Sequence, residues 1–241
     1  MKVRYIGLFV ALLLAPASAN AAIIISEIFY NLNGSEGTAT EWIEITNTGN
    51  ATVDLTNWTY EDIQDVVATN PFPAGTQIGP GESAVIVEQA AATFQSIWGA
   101  GVNVINASPG ISLGNTGSAT NETVAIRNNL GVIVDEVNYE TDTNGWPAAA
   151  AANGESIYLL PGAFSLLAND LGANWAGSVA GVNGAYTALI LNPGIANATV
   201  PDVASPGTAI VPEPTTVVLM AVGLCMTLLK SRRRNEQYPI E

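Results

Sequence analysis

The chain has 241 residues, a formal net charge of −14 and no histidine. Its Lys and Arg residues cluster at the two ends, so positions 22–211 contain 18 acidic residues and a single base, Arg127, for a net charge of −17. This region therefore lacks the side chains of a Ser-His-Asp triad, a His-bound zinc or a Schiff-base lysine, and it would repel nucleic acid, which is excluded as a partner.

The first 21 residues have the pattern of a secretory signal peptide. Lys2 and Arg4 precede an apolar stretch at 6–15 that is too short to span a bilayer, and small residues at positions 19 and 21 fit the usual cleavage pattern. We expect a signal helix over 1–21 and cleavage between Ala21 and Ala22, because a strand-like apolar run begins there. A similar pattern at 17–19 leaves an earlier cleavage open.

Residues 22–208 alternate short β-rich runs with turn residues, which predicts an all-β, antiparallel sandwich. The predicted strands are 23–30, 41–46, 53–60, 83–88, 102–105, 122–127, 132–139 and 156–160. One short helix is predicted at 90–98. Ile43 and Ile45 alternate with Glu44, which predicts one buried and one solvated face for that strand. The only cysteine is Cys225, so stability must come from core burial without disulfides.

The C-terminal residues 209–241 have the pattern of a membrane-linked sorting signal. A linker at 209–214 precedes an apolar run at 215–230, which is predicted to be one transmembrane helix. Its 15 uncharged residues would reach about 22 Å, a marginal span. The basic tail at 231–241 would stay cytoplasmic and leave the large domain outside. The residues predicted to form the sorting motif are Pro212, Glu213, Pro214, Arg232, Arg233 and Arg234.

This order of a Pro-Glu-Pro triplet, an apolar run and a basic end resembles a PEP-CTERM sorting signal of Gram-negative bacteria. The resemblance implies export by the secretion machinery and recognition by an exosortase-type processing enzyme. It also implies delivery to the cell surface or an extracellular polysaccharide matrix. Whether the helix remains as a membrane anchor or is removed is left open by the sequence.

A second resemblance concerns the exported region. The motifs that carry it are 25–28 (ISEI), 41–49 (EWIEITNTG), 53–59 (VDLTNWT), 72–76 (FPAGT), 78–82 (IGPGE), 132–139, 146–147 (WP), 154–157 (GESI), 174–175 (NW) and 205–207 (SPG). In this order they resemble a lamin tail domain, which implies an immunoglobulin-like sandwich. The match is close over 25–88 and scattered afterwards, and residues 148–152 and 162–192 have the character of insertions.

Carboxylates are the remaining candidates for chemistry in the exported region. A glycosidase needs two of them across a sugar. The candidates are Glu27, Glu41, Glu44, Asp135 and Glu136. Carboxylates on strands more often lie on solvated faces, so no catalytic residue and no cofactor are predicted.

Residues 140–145 suggest a calcium site. Glu140, Asp142 and Asn144 place oxygen atoms at alternate positions before Gly145, as in the first half of an EF-hand loop. Ala151 occupies the position of the required bidentate Glu, so an EF-hand is excluded. Two interpretations remain, namely weak ligation by Asp142 and its neighbours, with Glu155 nearby in sequence, or an Asx-type turn between strands.

The leading functional hypothesis is an exported, non-enzymatic structural or adhesive protein of the bacterial envelope or exopolysaccharide matrix. The alternative is a carbohydrate- or calcium-binding module in which exposed Trp42, Trp98 or Trp146 stacks on sugar rings. A third hypothesis is hydrolysis by paired carboxylates. The expected partners are the secretion machinery, an exosortase-type enzyme, the membrane through the C-terminal helix and, in the adhesive case, extracellular polysaccharide.

Overall fold

The structure of the chain is a computed structural model that describes residues 23–34, 40–63, 66–67, 71–106, 111–114, 122–140, 143–147 and 154–209. The predicted signal peptide, the cleavage site at Ala21 and Ala22, the transmembrane helix, the tail and the six sorting-motif residues lie outside these ranges. Within them, no helix has the length and apolar character needed to cross a membrane.

The described residues are mostly β-structure with one short α-helix. The elements in chain order are β1 (Ile23–Phe29), β2 (Trp42–Asn47), β3 (Val53–Asp54), β4 (Thr59–Ile63), β5 (Val66–Val67), β6 (Gln77–Ile78), β7 (Ser83–Val87), α1 (Ala91–Trp98), β8 (Val104–Asn106), β9 (Glu122–Arg127), β10 (Ile133–Tyr139), β11 (Ile157–Leu159), β12 (Trp175–Gly177), β13 (Tyr186–Thr187) and β14 (Val203–Ala204). This confirms the predicted all-β class and the predicted short helix.

Two sheets form the sandwich. One has six strands in the order β12-β11-β1-β2-β7-β8, and the other has four in the order β10-β9-β4-β5. Their facing side chains share one core, to which the first sheet contributes Ile28 and Ile43 and the second contributes Val124 and Val137. Burial of such β-branched side chains between the sheets supplies the main stabilisation in the absence of disulfides.

Two predicted strand features are wrong in detail. The predicted strand at 53–60 is divided into β3 and β4, because Asn57 has a positive φ of 64° and the Thr56 N–H donates to Asp54 Oδ1 (2.9 Å) in an Asx turn. The sandwich is also not wholly antiparallel, since β7 and β8 are parallel. They are joined by α1, and a helical crossover is the connection that parallel neighbours require.

The second face of the six-stranded sheet is covered by α1 and by residues 178–209, here called the C-terminal segment. A second apolar cluster fills this layer, with Phe29, Trp42, Val85 and Val87 from the sheet, Phe94, Ile97 and Trp98 from α1, and Ala188, Ile195 and Ala204 from the C-terminal segment. The prediction of a solvated face at Glu44 is therefore wrong. Every residue of β2 is buried, and Glu44 is 1% exposed.

Candidate functional site: a buried pair of carboxylates

Two glutamates lie side by side beneath the C-terminal segment. Glu27 of β1 and Glu44 of β2 are direct cross-strand partners, and a β-bulge between Ile25 and Glu27 sets this register. Because side chains alternate along a strand, the two glutamates share the sheet face of Phe29 and Trp42, away from the main core. Each is 1% exposed. We call Glu27 and Glu44 the carboxylate pair.

Glu27 is held by donors from Ser156, just before β11, and from the C-terminal segment. The Ser205 N–H donates to Oε1 (2.7 Å) and the Ser205 hydroxyl donates to Oε2 (2.8 Å). The Ser156 hydroxyl also donates to Oε1, and its oxygen lies 2.7 Å from Ser178 Oγ. All the donors to this buried carboxylate that the structure defines are neutral groups of the chain itself.

Glu44 has a similar set of donors. The Gly207 N–H donates to Oε2 and the Ser26 hydroxyl donates to Oε1 at 3.0 Å. A row of hydroxyls continues from there, since Thr46 Oγ1 donates to Ser26 Oγ (2.7 Å) and lies 2.8 Å from Ser83 Oγ. The carboxylate pair is thus embedded in a buried polar layer built largely from serine.

No cation compensates the carboxylate pair among the described residues. Arg127, the only Lys or Arg in these ranges, contacts Glu61 on the other sheet. Burial raises the pKa of Glu27 to about 7, against the lowering effect of the hydrogen bonds from Ser156 and Ser205. Burial, followed by repulsion from Glu27, raises the pKa of Glu44 to about 8. The pair therefore retains a proton at neutral pH, when a solvated glutamate has lost its own.

A small cavity of about 10 Å³ adjoins the carboxylate pair, with Tyr158, Asn183 and Thr208 among its lining residues. This volume is about what one water molecule needs. A sugar ring could reach the carboxylates only if Ser205 and Gly207 were displaced. As built, the arrangement can hold protons and one water-sized species, which does not suit the glycosidase hypothesis.

The other candidate carboxylates lie apart from the pair. Glu41 Oε2 accepts a hydrogen bond from Leu113 N–H (2.6 Å), and Glu136 is exposed on β10. Asp135 Oδ2 accepts from Ile25 N–H (2.6 Å) and from Asn169 Nδ2 (2.7 Å), which links the two sheets. Burial raises the pKa of Asp135 to about 6. Of the five candidates, the structure brings only Glu27 and Glu44 together.

The suggested calcium loop forms local contacts. Glu140 Oε2 accepts hydrogen bonds from the Thr143 hydroxyl and from Asn144 Nδ2 (2.7 Å for the latter), and Asn144 has a positive φ of 50°. These are features of a turn. Asp142, the central residue of the hypothesis, lies outside the described residues. Across the ranges that are described, no group of three or more acidic, His or Cys side chains could hold a metal ion.

The three tryptophans proposed to stack on sugars are buried, so that prediction is wrong. Trp42, Trp98 and Trp146 are 0%, 3% and 7% exposed. Trp42 packs edge-on against Phe29 and Phe94 in the second apolar cluster, and Trp146 packs against Trp175 with ring centroids 5.5 Å apart. Trp42 and Trp98 are unavailable because they are enclosed in the third layer that α1 and the C-terminal segment add to the sandwich, whereas Trp146 is enclosed in the main core beside Trp175.

The residues that sequence reasoning missed are the donors to the carboxylate pair. Ser156 belongs to the motif at 154–157, and Ser205 and Gly207 belong to the motif at 205–207. Both motifs contributed to the family resemblance, which was the available signal. What these residues contact depends on the fold, because the Glu27–Ser205 hydrogen bond joins positions 178 residues apart.

Comparison with known proteins supports the predicted family. The family model of the lamin tail domain matches residues 16–141, which is more than half of the chain. Strands β1–β10 fall within the matched range. Strands β11–β14 follow it, as does the C-terminal segment that covers the second face of the six-stranded sheet. Among curated proteins, none matches the sequence. The chain belongs to the lamin tail domain family.

Proposed function

We propose that this chain is an exported, non-enzymatic structural or adhesive protein of the bacterial envelope or of an exopolysaccharide matrix. Lamin tail domains are immunoglobulin-like domains of a non-enzymatic family, which favours this class over a hydrolase. The observation that carries the proposal is the closed carboxylate pair. Its acids are occupied by the protein's own serine and backbone donors, as expected for groups that organise a fold.

The proposed destination rests on the two ends of the chain. The signal-peptide pattern with cleavage between Ala21 and Ala22 directs export. The Pro-Glu-Pro triplet followed by an apolar run and three arginines resembles a PEP-CTERM signal, whose processing enzyme is of the exosortase type. The acidic, nearly cation-free exported region suits a soluble surface module in salty surroundings, where its self-repulsion is screened.

Cell fractionation tests this proposal. The protein is followed by immunoblot in cells with and without an exosortase-type enzyme, beside a Glu213→Ala variant of the triplet. We expect a shortened form at the surface or in the matrix of the intact cells, and an unshortened, membrane-associated form in the other two cases. Accumulation of the full-length chain in the cytoplasm of intact cells would contradict the proposal.

The adhesive role has a separate test. Cells that lack the protein should form a matrix that disperses at lower shear, and adding back the purified exported domain should restore its cohesion. Turnover of matrix polysaccharide by the purified domain, lost in a Glu27→Gln variant, would instead favour the hydrolase hypothesis. A retained effect on cohesion in Glu27→Gln, with no turnover in either form, supports a structural role.

A further inference from the structure

The four residues 205–208, which we call the strap, close the domain over the carboxylate pair. Three donors of the strap bind the pair, namely both donors of Ser205 and the N–H of Gly207. The strap forms a turn, in which Thr208 N–H donates to the Ser205 carbonyl (3.0 Å) and Gly207 has a φ of +74°. It follows β14 directly and lies just before the linker to the sorting motif in the sequence.

Among the described residues, few other hydrogen bonds join the strap to the rest of the domain. The Thr208 hydroxyl lies 3.3 Å from the Gly184 carbonyl but closer, at 2.7 Å, to the Ser205 carbonyl within the strap. The Tyr186 hydroxyl lies 3.3 Å from the Pro206 carbonyl but closer, at 2.7 Å, to that of Trp98. The carboxylate pair therefore accepts the shortest hydrogen bonds between the strap and the rest of the domain. Charge-assisted hydrogen bonds of this kind are about twice as strong as those between neutral groups.

The groups facing the pair make this attachment sensitive to ionisation. The titratable side chains around it are Tyr186 from β13 and Tyr158 from β11, and neither carries a positive charge. Strand β7 and the strap contribute only hydroxyl and backbone groups. The hydrogen-bond donors around the pair stabilise one ionised carboxylate. Two adjacent anions would repel each other, and neither would be in contact with water. Opening the strap would hydrate both.

We propose that the strap is a proton-controlled latch, closed while Glu27 and Glu44 retain a proton between them and released when both are ionised. Release would free a longer tether in front of the sorting motif. With the strap closed, Pro212 lies four positions beyond Thr208 in the sequence, at most about 14 Å of extended chain. With the strap open, the free chain begins at Ala204, eight positions before Pro212, and can reach about 28 Å.

The consequence for processing rests on the proposed function. A processing enzyme in the membrane must take the Pro-Glu-Pro triplet into its own site, and a folded domain about 14 Å away limits that approach. The latch would therefore couple processing to the proton concentration outside the cytoplasmic membrane. The strap is therefore the segment through which the folding of the domain would affect access to the sorting motif.

Hydrogen exchange measured by mass spectrometry tests the latch in the full chain. Peptides that contain Ser205 and Gly207 are compared with peptides from β7, whose Val85 N–H donates to the Asn103 carbonyl (2.9 Å). The ratio of the two rates cancels the intrinsic effect of pH on exchange. We expect this ratio to rise by about tenfold or more between pH 6 and pH 9, since each unit of differential proton affinity is worth a factor of ten. A ratio constant within about twofold would overturn the proposal.

Two matched variants identify the responsible groups. Glu44→Gln should keep the strap closed and flatten the rise, whereas Glu136→Gln removes an exposed carboxylate of β10 and should leave the rise unchanged. A rise that persists in Glu44→Gln and also in Glu27→Gln would overturn the proposal. If either variant fails to fold, the pH series on the unmodified protein decides the question alone.

Processing in cells provides the second measurement. Conversion to the shortened form should slow severalfold in Glu44→Gln relative to Glu136→Gln if the latch governs access, and equal rates would refute that role. If the unmodified protein is never shortened, the sorting proposal fails while the exchange measurement still tests the latch. The two failures are thus distinguishable.

Discussion

Glu27 and Glu44 lie directly opposite each other on adjacent strands near the start of the domain, and the backbone of Ser205 and Gly207 at its end binds both. The strap thereby joins the first strands of the domain to the C-terminal end of the described residues. Burying a carboxylate without hydrogen-bond donors costs free energy. The two carboxylates on the second face of the sheet therefore have all their donors only when these final residues are in place. The contact between the strap and the carboxylate pair leads to predictions on how the free energy of unfolding depends on pH and on which truncated chains can fold.

The first prediction concerns the free energy of unfolding as a function of pH. A carboxyl group whose pKa is raised on folding binds its proton more tightly in the folded than in the unfolded state. The free energy of unfolding therefore falls as the pH rises above about 4.5, the pKa of an unfolded glutamate, and continues to fall through about 7 for Glu27 and about 8 for Glu44. Asp135, raised to about 6, has the same sign. Urea titrations at pH 5 and pH 8.5 should show a loss of about 3 kcal/mol or more.

The Glu44→Gln variant should lose a large part of this pH dependence and be the more stable protein at pH 8.5. Glu136→Gln is its matched control, because it removes the same charge from an exposed position. Equal slopes in Glu44→Gln and Glu136→Gln would show that general repulsion in the acidic domain, and not the carboxylate pair, sets the pH dependence.

The second prediction concerns the extent of the folding unit. A fragment that ends at residue 141, where the family match ends, lacks β11, which pairs with β1 at Glu27 and Ile28, and all donors to Glu27. We expect this fragment to be largely unfolded by circular dichroism and to bind a hydrophobic dye, whereas residues 22–209 should unfold cooperatively. Cooperative unfolding of the shorter fragment would show that the C-terminal segment is dispensable.

Much of the sandwich could be predicted from the sequence because its central strands are rich in β-branched residues. The apolar run that begins at Ile23 and the alternation around Ile43 define β1 and β2 without any tertiary information. Helix α1 was predictable for a related reason, since 90–98 is the only stretch of sequence between the two ends with helical composition. Local sequence patterns were sufficient to predict those elements whose structure depends mainly on neighbouring residues along the chain.

The carboxylate pair could not be predicted in this way. The alternation of side chains places Glu44 and Ile43 on different faces of the sheet, but it does not show what covers the face of Glu44. That face is covered by the C-terminal segment, whose strands β13 and β14 have only two residues each. Such short strands have no period to detect. The burial of Trp42 and Trp98 was missed for the same reason, since both lie under this layer.

The third prediction concerns the only cation of the described domain. Arg127 Nε contacts Glu61, which is 1% exposed, and Arg127 Nη1 donates to the Gly131 carbonyl (3.0 Å). Arg127→Met would leave the Glu61 charge buried without a partner and should destabilise the domain by about 3 kcal/mol or more. Urea unfolding measures this loss. The double variant with Glu61→Gln should recover most of it, and a loss equal to that of the single variant would show that Arg127 acts through packing alone.

The last prediction concerns the close approach of Gly172 to Trp146 in the packing of Trp146 against Trp175. A Cβ atom on Gly172 would lie 2.7 Å from both the backbone nitrogen and Cδ1 of Trp146, so Gly172→Ala must displace backbone and should cost about 1–3 kcal/mol. Gly101→Ala is the matched control, because a Cβ there meets no atom within 4 Å, and its effect should stay within about 0.5 kcal/mol. Tryptophan fluorescence during urea unfolding reports both. If the two variants were equally stable, the Trp146 turn would have to be free to move away from Gly172, and its burial would then contribute little to the domain.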